Sequence, residues 1–358
     1  MDLNNIIFFF VLLFLVYICN KYILIILNKF NPKLLIDDQF QKPQAFHQTP
    51  TYISGGLSIF FSLLLVYLYL FFYKDITYYE YISFCTLIFF LGFIEDLKIN
   101  FNPIVRLFLM IVFLILLTQY NNIFVEKTGI EILNNWLQNS SFFSLIFICL
   151  CFLFVINGAN LIDGYNGLLG IHSLIILINL FFINYLNGNT NLAYILFYVI
   201  LILIIFLKFN FPTAKIFLGD GGSYLLGAFI ALSAIQTSIM NPTISPFYFC
   251  ILLFYLFFEV FFSFIRKLVF EKKSPIRPDK NHLHMILYKV LCKKINNKLK
   301  SNYYVSIIIN LIFLILIIPA IFMMKNGLFC KYYSLIFFII YIFSYGILAN
   351  KQKSYEKN

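Results

Sequence analysis

The chain has 358 residues, of which 62% are hydrophobic and 11% charged. That balance excludes a soluble globular domain, in which about a quarter of the residues are charged. The formal net charge of +11 does not argue for a nucleic-acid partner, because no stacking platform or nucleic-acid fold accompanies it; a basic face also attracts anionic lipid.

About 20 apolar residues cross a hydrocarbon core as a helix. Eleven such runs follow one another, at about 5–28, 55–73, 79–95, 104–120, 142–158, 167–186, 192–210, 223–239, 246–265, 303–324 and 332–349. The first lacks the basic start and small-residue cleavage site of a signal peptide, so it is read as a retained helix. Basic residues concentrate in the odd-numbered connections and the C-terminal tail, including all eleven from Arg266 to Lys300. The positive-inside rule makes that side cytoplasmic. The expected fold is all-α: a polytopic membrane protein of about 11 transmembrane helices, with its N-terminus outside and C-terminus cytoplasmic. It is read as a single membrane-embedded domain over 1–358, with a basic histidine loop at about 266–302. Seven cysteines form no CxxC pair or disulfide framework and are read as packing residues.

Ionisable groups at membrane depth are costly and therefore functional candidates. Five acids qualify: Glu95, Asp96, Asp163, Asp220 and Glu259. In chain order, the first cytoplasmic segment is KPQAFHQTPTYISGGL at 42–57, irregular at Pro43 and Pro50, with Gly55–Gly56 opening the next span. The adjacent carboxylates of GFIEDLK (92–98) repel each other unless hydrated or paired; Lys98, Arg106 or Mg2+ are candidate partners. In NGANLIDGYNGLLG (157–170), Asn157, Asn160 and Asp163 recur every three residues, which a helix would gather on one side. In KIFLGDGGSYLLG (215–227), Asp220 stands among glycines, and Ser223 is expected to cap a helix whose N-terminus favours anions. Mg2+ commonly takes one or two carboxylates plus substrate phosphates, which suits Asp220. In KKSPIRPDKNHLHMIL (272–287), Arg277, His282 and His284 suit phosphate; the i,i+2 histidines lack the further ligands of a zinc site. Glu259, within a span, is expected to pair with Arg106 or Arg266.

Together these segments resemble the polyprenyl-phosphate N-acetylhexosamine-1-phosphate transferases, related to phospho-N-acetylmuramoyl-pentapeptide transferase. The resemblance covers residues 40 to 290. His47 with Pro50–Thr51 and Gly55–Gly56 is similar to the family's first cytoplasmic loop, and Glu95–Asp96 to its Asp-Asp pair, with Arg106 at a usually basic position. Asn157, Asn160, Asp163 and Gly164 match Asn-x-x-Asn-x-x-Asp-Gly, Gly219–Ser223 matches Gly-Asp-x-Gly-Ser, and Asp279–His284 is similar to the histidine loop. Tyr52–Ile53 replaces Pro-Arg, Glu95 the first Asp, Asn166 a second Asp, and Met285 a third His.

The resemblance implies transfer of a sugar 1-phosphate from a UDP-N-acetylhexosamine to undecaprenyl phosphate in the bacterial cytoplasmic membrane, on its cytoplasmic face. UMP is released and a lipid-linked envelope glycan begun, such as O-antigen of lipopolysaccharide, capsule or wall teichoic acid. Asp220, with Asp163, would hold Mg2+ (Mn2+ as an admissible substitute). Asp96, assisted by Glu95, would keep the lipid phosphate deprotonated or orient it, and Asp163 with Asn160 would hold the nucleotide side of the donor. His47, Arg106, Asn157, Arg277, His282 and His284 are further substrate-binding candidates. The expected partners are these substrates and membrane lipid, with no nucleic acid; a homodimer is the quaternary state entertained. A secondary transporter and a catalytically degenerate homologue are the alternatives.

Overall fold

The computed structural model describes residues 3–30, 35–37, 50–99, 102–274 and 279–357. His47 and Arg277 lie outside the described residues. Each of the eleven apolar runs is helical. They are α1 (Leu3–Phe30), α2 (Gly55–Lys74), α3 (Tyr79–Asp96) and α4 (Pro103–Tyr120), then, after a short α5 (Glu131–Asn139), α6 (Ser141–Ile162), α7 (Leu168–Leu186), α8 (Thr190–Asn210) and α9 (Gly219–Met240). The ninth run is two helices, α10 (Pro246–Leu252) and α11 (Phe254–Ile265), and after α12 (Leu283–Ile295) come α13 (Lys298–Phe322) and α14 (Gly327–Lys357).

Among the described residues, eight helices are long and apolar enough to cross a membrane: α2, α4, α6, α7, α8, α9, α13 and α14. Helices α10 and α11 make a ninth span if taken together, although they bend by 76° at Leu253. The single span expected over 246–265 is therefore broken. The apolar α3 carries three acids, Glu80, Glu95 and Asp96. The chain is a multi-pass membrane protein.

Helix α9 is buried continuously from Gly221 to Ile235, the pattern of a helix with apolar neighbours on every side. Helices α3, α6, α2 and α7 pack around it. Its approach to α3 is too close for a side chain: a Cβ on Gly92 would lie 2.4 Å from the Asp220 carbonyl oxygen. Small residues permit such contact in bundles. By contrast, α4 and α14 leave large apolar side chains such as Phe108, Leu116, Ile339 and Phe343 exposed.

Two features depart from the expectation of helical spans joined by irregular loops. Strands β1 (Ile36–Asp37), β2 (Thr51–Ile53) and β3 (Ile216–Phe217) form a small sheet. In it, β2 pairs antiparallel with β1 and parallel with β3, Tyr52 opposite Ile216 and Ile53 opposite Phe217. Tyr52 and Ile53 are thus strand residues that brace the entry to α9. Within the basic loop, α12 buries Met285, Ile286, Tyr288 and Val290 and packs against α13 and α14. Asn296, in left-handed conformation at φ 53°, ends it as αL residues commonly do.

Candidate active site

The acids at the C-terminal ends of α3 and α6 and at the start of α9 come together. Asp96 closes α3 and is 7% exposed. Its Oδ1 accepts the Asp220 N–H at 2.8 Å and its Oδ2 the Gly221 N–H at 2.9 Å. These are among the first amides of α9, which have no partner within the helix. The residue preceding α9, Leu218, supplies no capping bond, so Asp96 caps the helix from another element. Gly219 makes room: it has φ +81°, and a Cβ there would stand 2.8 Å from both Asp96 oxygens. Because the cap comes from Asp96, α9 starts four residues before Ser223. Ser223 is no cap; its hydroxyl donates to the Asp220 carbonyl at 3.1 Å.

Glu95 points elsewhere. Neighbouring helical residues diverge by about 100°, and the Glu95 side chain stays 40% exposed while pairing with Arg106. The Arg106 guanidinium also lies 3.5 Å from Asp220 Oδ2 and 5.7 Å from the ring centre of Tyr224. Asn160 donates to Asp220 Oδ1 at 2.8 Å and to the Ser223 hydroxyl at 3.0 Å. Lys98 and Arg106 were both candidate partners for the acid pair; Arg106 is the one that bridges Glu95 to Asp220.

Asp163 follows α6 and keeps some exposure. Burial first, then the charges of Asp220 and Asp96, holds its carboxyl well above the usual carboxylate range. Arg106 pairs with Glu95 and Asp220, and Asp96 and Asp163 add further carboxylates beside Asp220, an arrangement that favours an added cation. Among the described residues, no three His, Cys, Asp or Glu side chains form a metal cage. Asp96 is engaged by amides and Glu95 by Arg106, so Asp163 and Asp220, the latter also bonded by Asn160 and 3.5 Å from Arg106, are the carboxylates that would be offered to a cation. Two carboxylates completed by substrate phosphates are a donor set that fits Mg2+.

Asn157 does not join this group. Three residues on a helix fall about 60° short of a full turn, so the ladder of Asn157, Asn160 and Asp163 rotates away. Asn157 donates to the Leu153 carbonyl at 2.8 Å and approaches Met110 of α4 at 3.6 Å. Two of the departures from the family pattern, Asn166 and Met285, have local explanations. Asn166 donates to the Pro212 carbonyl at 2.9 Å, a bond an ionised Asp could not make. Met285 is 1% exposed and packs in the core.

The histidines bond within their own cluster. His282 Nδ1 lies 3.1 Å from Glu259 Oε1 and its Nε2 3.3 Å from Asp279 Oδ1. His284 is fully buried with Nδ1 3.3 Å from the Tyr255 hydroxyl. Burial holds its imidazole down, at about 4. Glu259 was expected to pair with Arg106 or Arg266. Instead it takes His282, and Arg266 pairs with Asp279 at 2.7 Å and with Glu271. Sequence reasoning also missed Tyr224, whose signal was an aromatic one helical turn after Asp220.

Residues 78–238 match the family model described as Glycosyl transferase family 4. The segment contains Glu95, Asp96, Arg106, Asn160, Asp163 and Asp220, and ends before Glu259, His282 and His284. Over 148 residues the chain is 33% identical to the undecaprenyl-phosphate alpha-N-acetylglucosaminyl 1-phosphate transferase of Thermotoga maritima, covering 41% of this chain and 44% of that protein. Over 260 residues it is 29% identical to the phospho-N-acetylmuramoyl-pentapeptide-transferase of Prochlorococcus marinus subsp. pastoris, covering 66% and 71%. A probable undecaprenyl-phosphate N-acetylglucosaminyl 1-phosphate transferase of Bacillus subtilis is 33% identical over 132 residues, 36% of each chain. The chain therefore spans less than half the length of the two N-acetylglucosaminyl transferases it matches.

Proposed function

We propose, from the premise that residues 78–238 belong to glycosyl transferase family 4, that the protein transfers a sugar 1-phosphate from a UDP-N-acetylhexosamine to undecaprenyl phosphate. The observation that carries this is the cluster of Glu95, Asp96, Asp163 and Asp220, in which Arg106 pairs with Glu95 and Asp220. A phosphate oxygen of the lipid attacks the β-phosphorus of the donor. The anhydride bond to UMP breaks as a new one to the lipid forms, so nearly balanced bonds are exchanged. The barrier is then chiefly one of bringing two anions together and offsetting charge.

Asp220 and Asp163 are assigned to Mg2+, which when bound supplies charge neutralisation and a template for the donor diphosphate. Asn160 fixes Asp220 Oδ1 and, with Asp163, faces the nucleotide side. Arg106 offers a fixed guanidinium to phosphate. The lipid phosphate is assigned to Glu95 beside Arg106 rather than to Asp96. What supports this order is that Glu95 is partly exposed whereas Asp96 is buried, and that Asp96 holds the α9 amides. Asp96 is then a positioning residue for Asp220. His282 and His284 are assigned to shaping the donor side through the loop that carries them.

The whole chain, 1–358, is taken as one membrane-embedded transferase unit, with the site on the cytoplasmic face where the basic connections lie. N-acetylglucosamine is the first donor to test, since two relatives at 33% identity are named for it. The local roles of Asn166 and Met285 favour an active enzyme over a degenerate one. A panel of UDP-sugars, offered to purified protein with undecaprenyl phosphate and Mg2+, tests this. Equal release of UMP and lipid-linked sugar diphosphate is expected with one N-acetylhexosamine donor. Absence of UMP with every member of the panel, from folded protein, overturns it.

A further inference from the structure

Glu259 lies in α11, 21 residues beyond the segment that matches the family model, and is 1% exposed. Its carboxylate is nevertheless well supplied with donors. Oε1 faces His282 Nδ1 at 3.1 Å and accepts the Leu283 N–H at 3.1 Å; Oε2 accepts the Tyr341 hydroxyl at 2.6 Å. Leu283 opens α12, and the preceding residue, His282, gives that helix no capping bond. Glu259 therefore caps α12 from a distant helix while gripping the ring of the residue before it.

The grip extends outward. The other nitrogen of His282 faces Asp279, which binds Arg266 at 2.7 Å and lies 3.5 Å from the Lys267 ammonium. The His282 and His284 rings stack within 3° of parallel, 5.6 Å apart. From α14, Tyr345 donates to the Asn281 carbonyl at 3.0 Å. A buried carboxylate with this many donors rigidifies a network, and a reacting site tolerates little displacement of its parts.

We propose that Glu259 is a positioning residue for sugar-phosphate transfer. Acting through His282 and the Leu283 amide, it fixes the register of the histidine-bearing segment and of the Asp279–Arg266 pair against α11. This rests on the transferase reading above for its kinetic consequence, but the anchoring itself is independent of activity.

The test compares wild type with Glu259→Gln, His282→Gln, Tyr341→Phe and the Glu259→Gln/His282→Gln double variant. Hydrogen exchange over residues 279–287 reads the anchoring without any substrate. Glu259→Gln should speed exchange there about tenfold, the loss of one charge-assisted hydrogen bond, while α9 stays protected. UMP release should fall on the order of 100-fold in kcat, with KM for undecaprenyl phosphate unchanged. The double variant should be no slower than the slower single variant, since both remove one link. Tyr341→Phe, which leaves His282 and Leu283 their partner, should have the smallest effect. Unchanged exchange in Glu259→Gln, or a double variant whose loss is the product of the singles, overturns the proposal. Faster exchange in a protein whose wild type releases no UMP would uphold the anchoring and sink the transferase reading instead.

Discussion

Helices α9 and α12 both begin after a residue that gives them no capping bond, Leu218 and His282, and both receive a buried carboxylate from another helix. At α12, Glu259 meets an imidazole, a hydroxyl and one amide. At α9, Asp96 meets two amides and has Asp220 and Asp163 nearby. The first arrangement matches a charge with donors from three elements and closes a loop. The second uses the positive end of a helix to hold like charges together, leaving carboxylate in excess over the Arg106 guanidinium. The start of α12 is thereby matched in charge, whereas the start of α9 keeps the excess of carboxylate on which the proposed cation site rests.

That contrast breaks most readily at Asp220. Asp220→Asn should lower Mg2+-dependent UMP release by roughly a thousandfold, with little change in the unfolding temperature. Substitutions around α12 should act through stability and register instead. His284→Gln offers a clean case. The imidazole is at about 4 in the fold against about 6.5 when unfolded. A folded pKa below the unfolded one means the unfolded chain binds the extra proton. The stability held above pH 6.5 is therefore lost as pH falls towards 4, by about 3 kcal/mol for this group. Unfolding of wild type and His284→Gln in detergent at pH 7 and pH 4.5 should converge at the lower pH if this is right.

Smaller effects divide the asparagine ladder. Asn160→Ala removes a donor to Asp220 and should lower turnover about 10-fold or more, as loss of one hydrogen bond to a charged group does. Asn157→Ala removes a bond to its own helix backbone and should stay within about 0.5 kcal/mol, or roughly twofold. Equal losses in steady-state assays of the two would place Asn157 at the substrate after all.

The acids were legible in the sequence because a charge at the end of an apolar run is rare and costly. Glu95, Asp96, Asp163 and Asp220 stood out for that reason, as did the helical character of all eleven runs. The order of Glu95 and Asp96 was not legible. Two adjacent residues diverge on a helix, and which one meets the α9 amides depends on the close approach at Gly92. Nor could spacing show that Glu259 would bypass two arginines for His282, 23 residues on, after the bend at Leu253 and the return of the loop. Ser223 was misread as a cap because the true cap lies 124 residues away in sequence from Asp220. Helix α12 left a signal in the spacing of Ile286, Val290 and Leu291, which its lysines obscured.

The most direct test of the account is a Mg2+ titration of UMP release in Asp96→Asn beside Glu95→Gln. Asp96→Asn loses one of the two acceptors that hold α9. It should need about 10-fold more Mg2+ for half-maximal rate, yet recover a measurable kcat at saturation. Glu95→Gln should lose kcat at any Mg2+ concentration while its half-saturation point stays put. The opposite pattern, with Asp96→Asn inactive at saturating Mg2+ and unaltered in Mg2+ affinity and unfolding temperature, would make Asp96 the reacting group and contradict its role as the cap of α9.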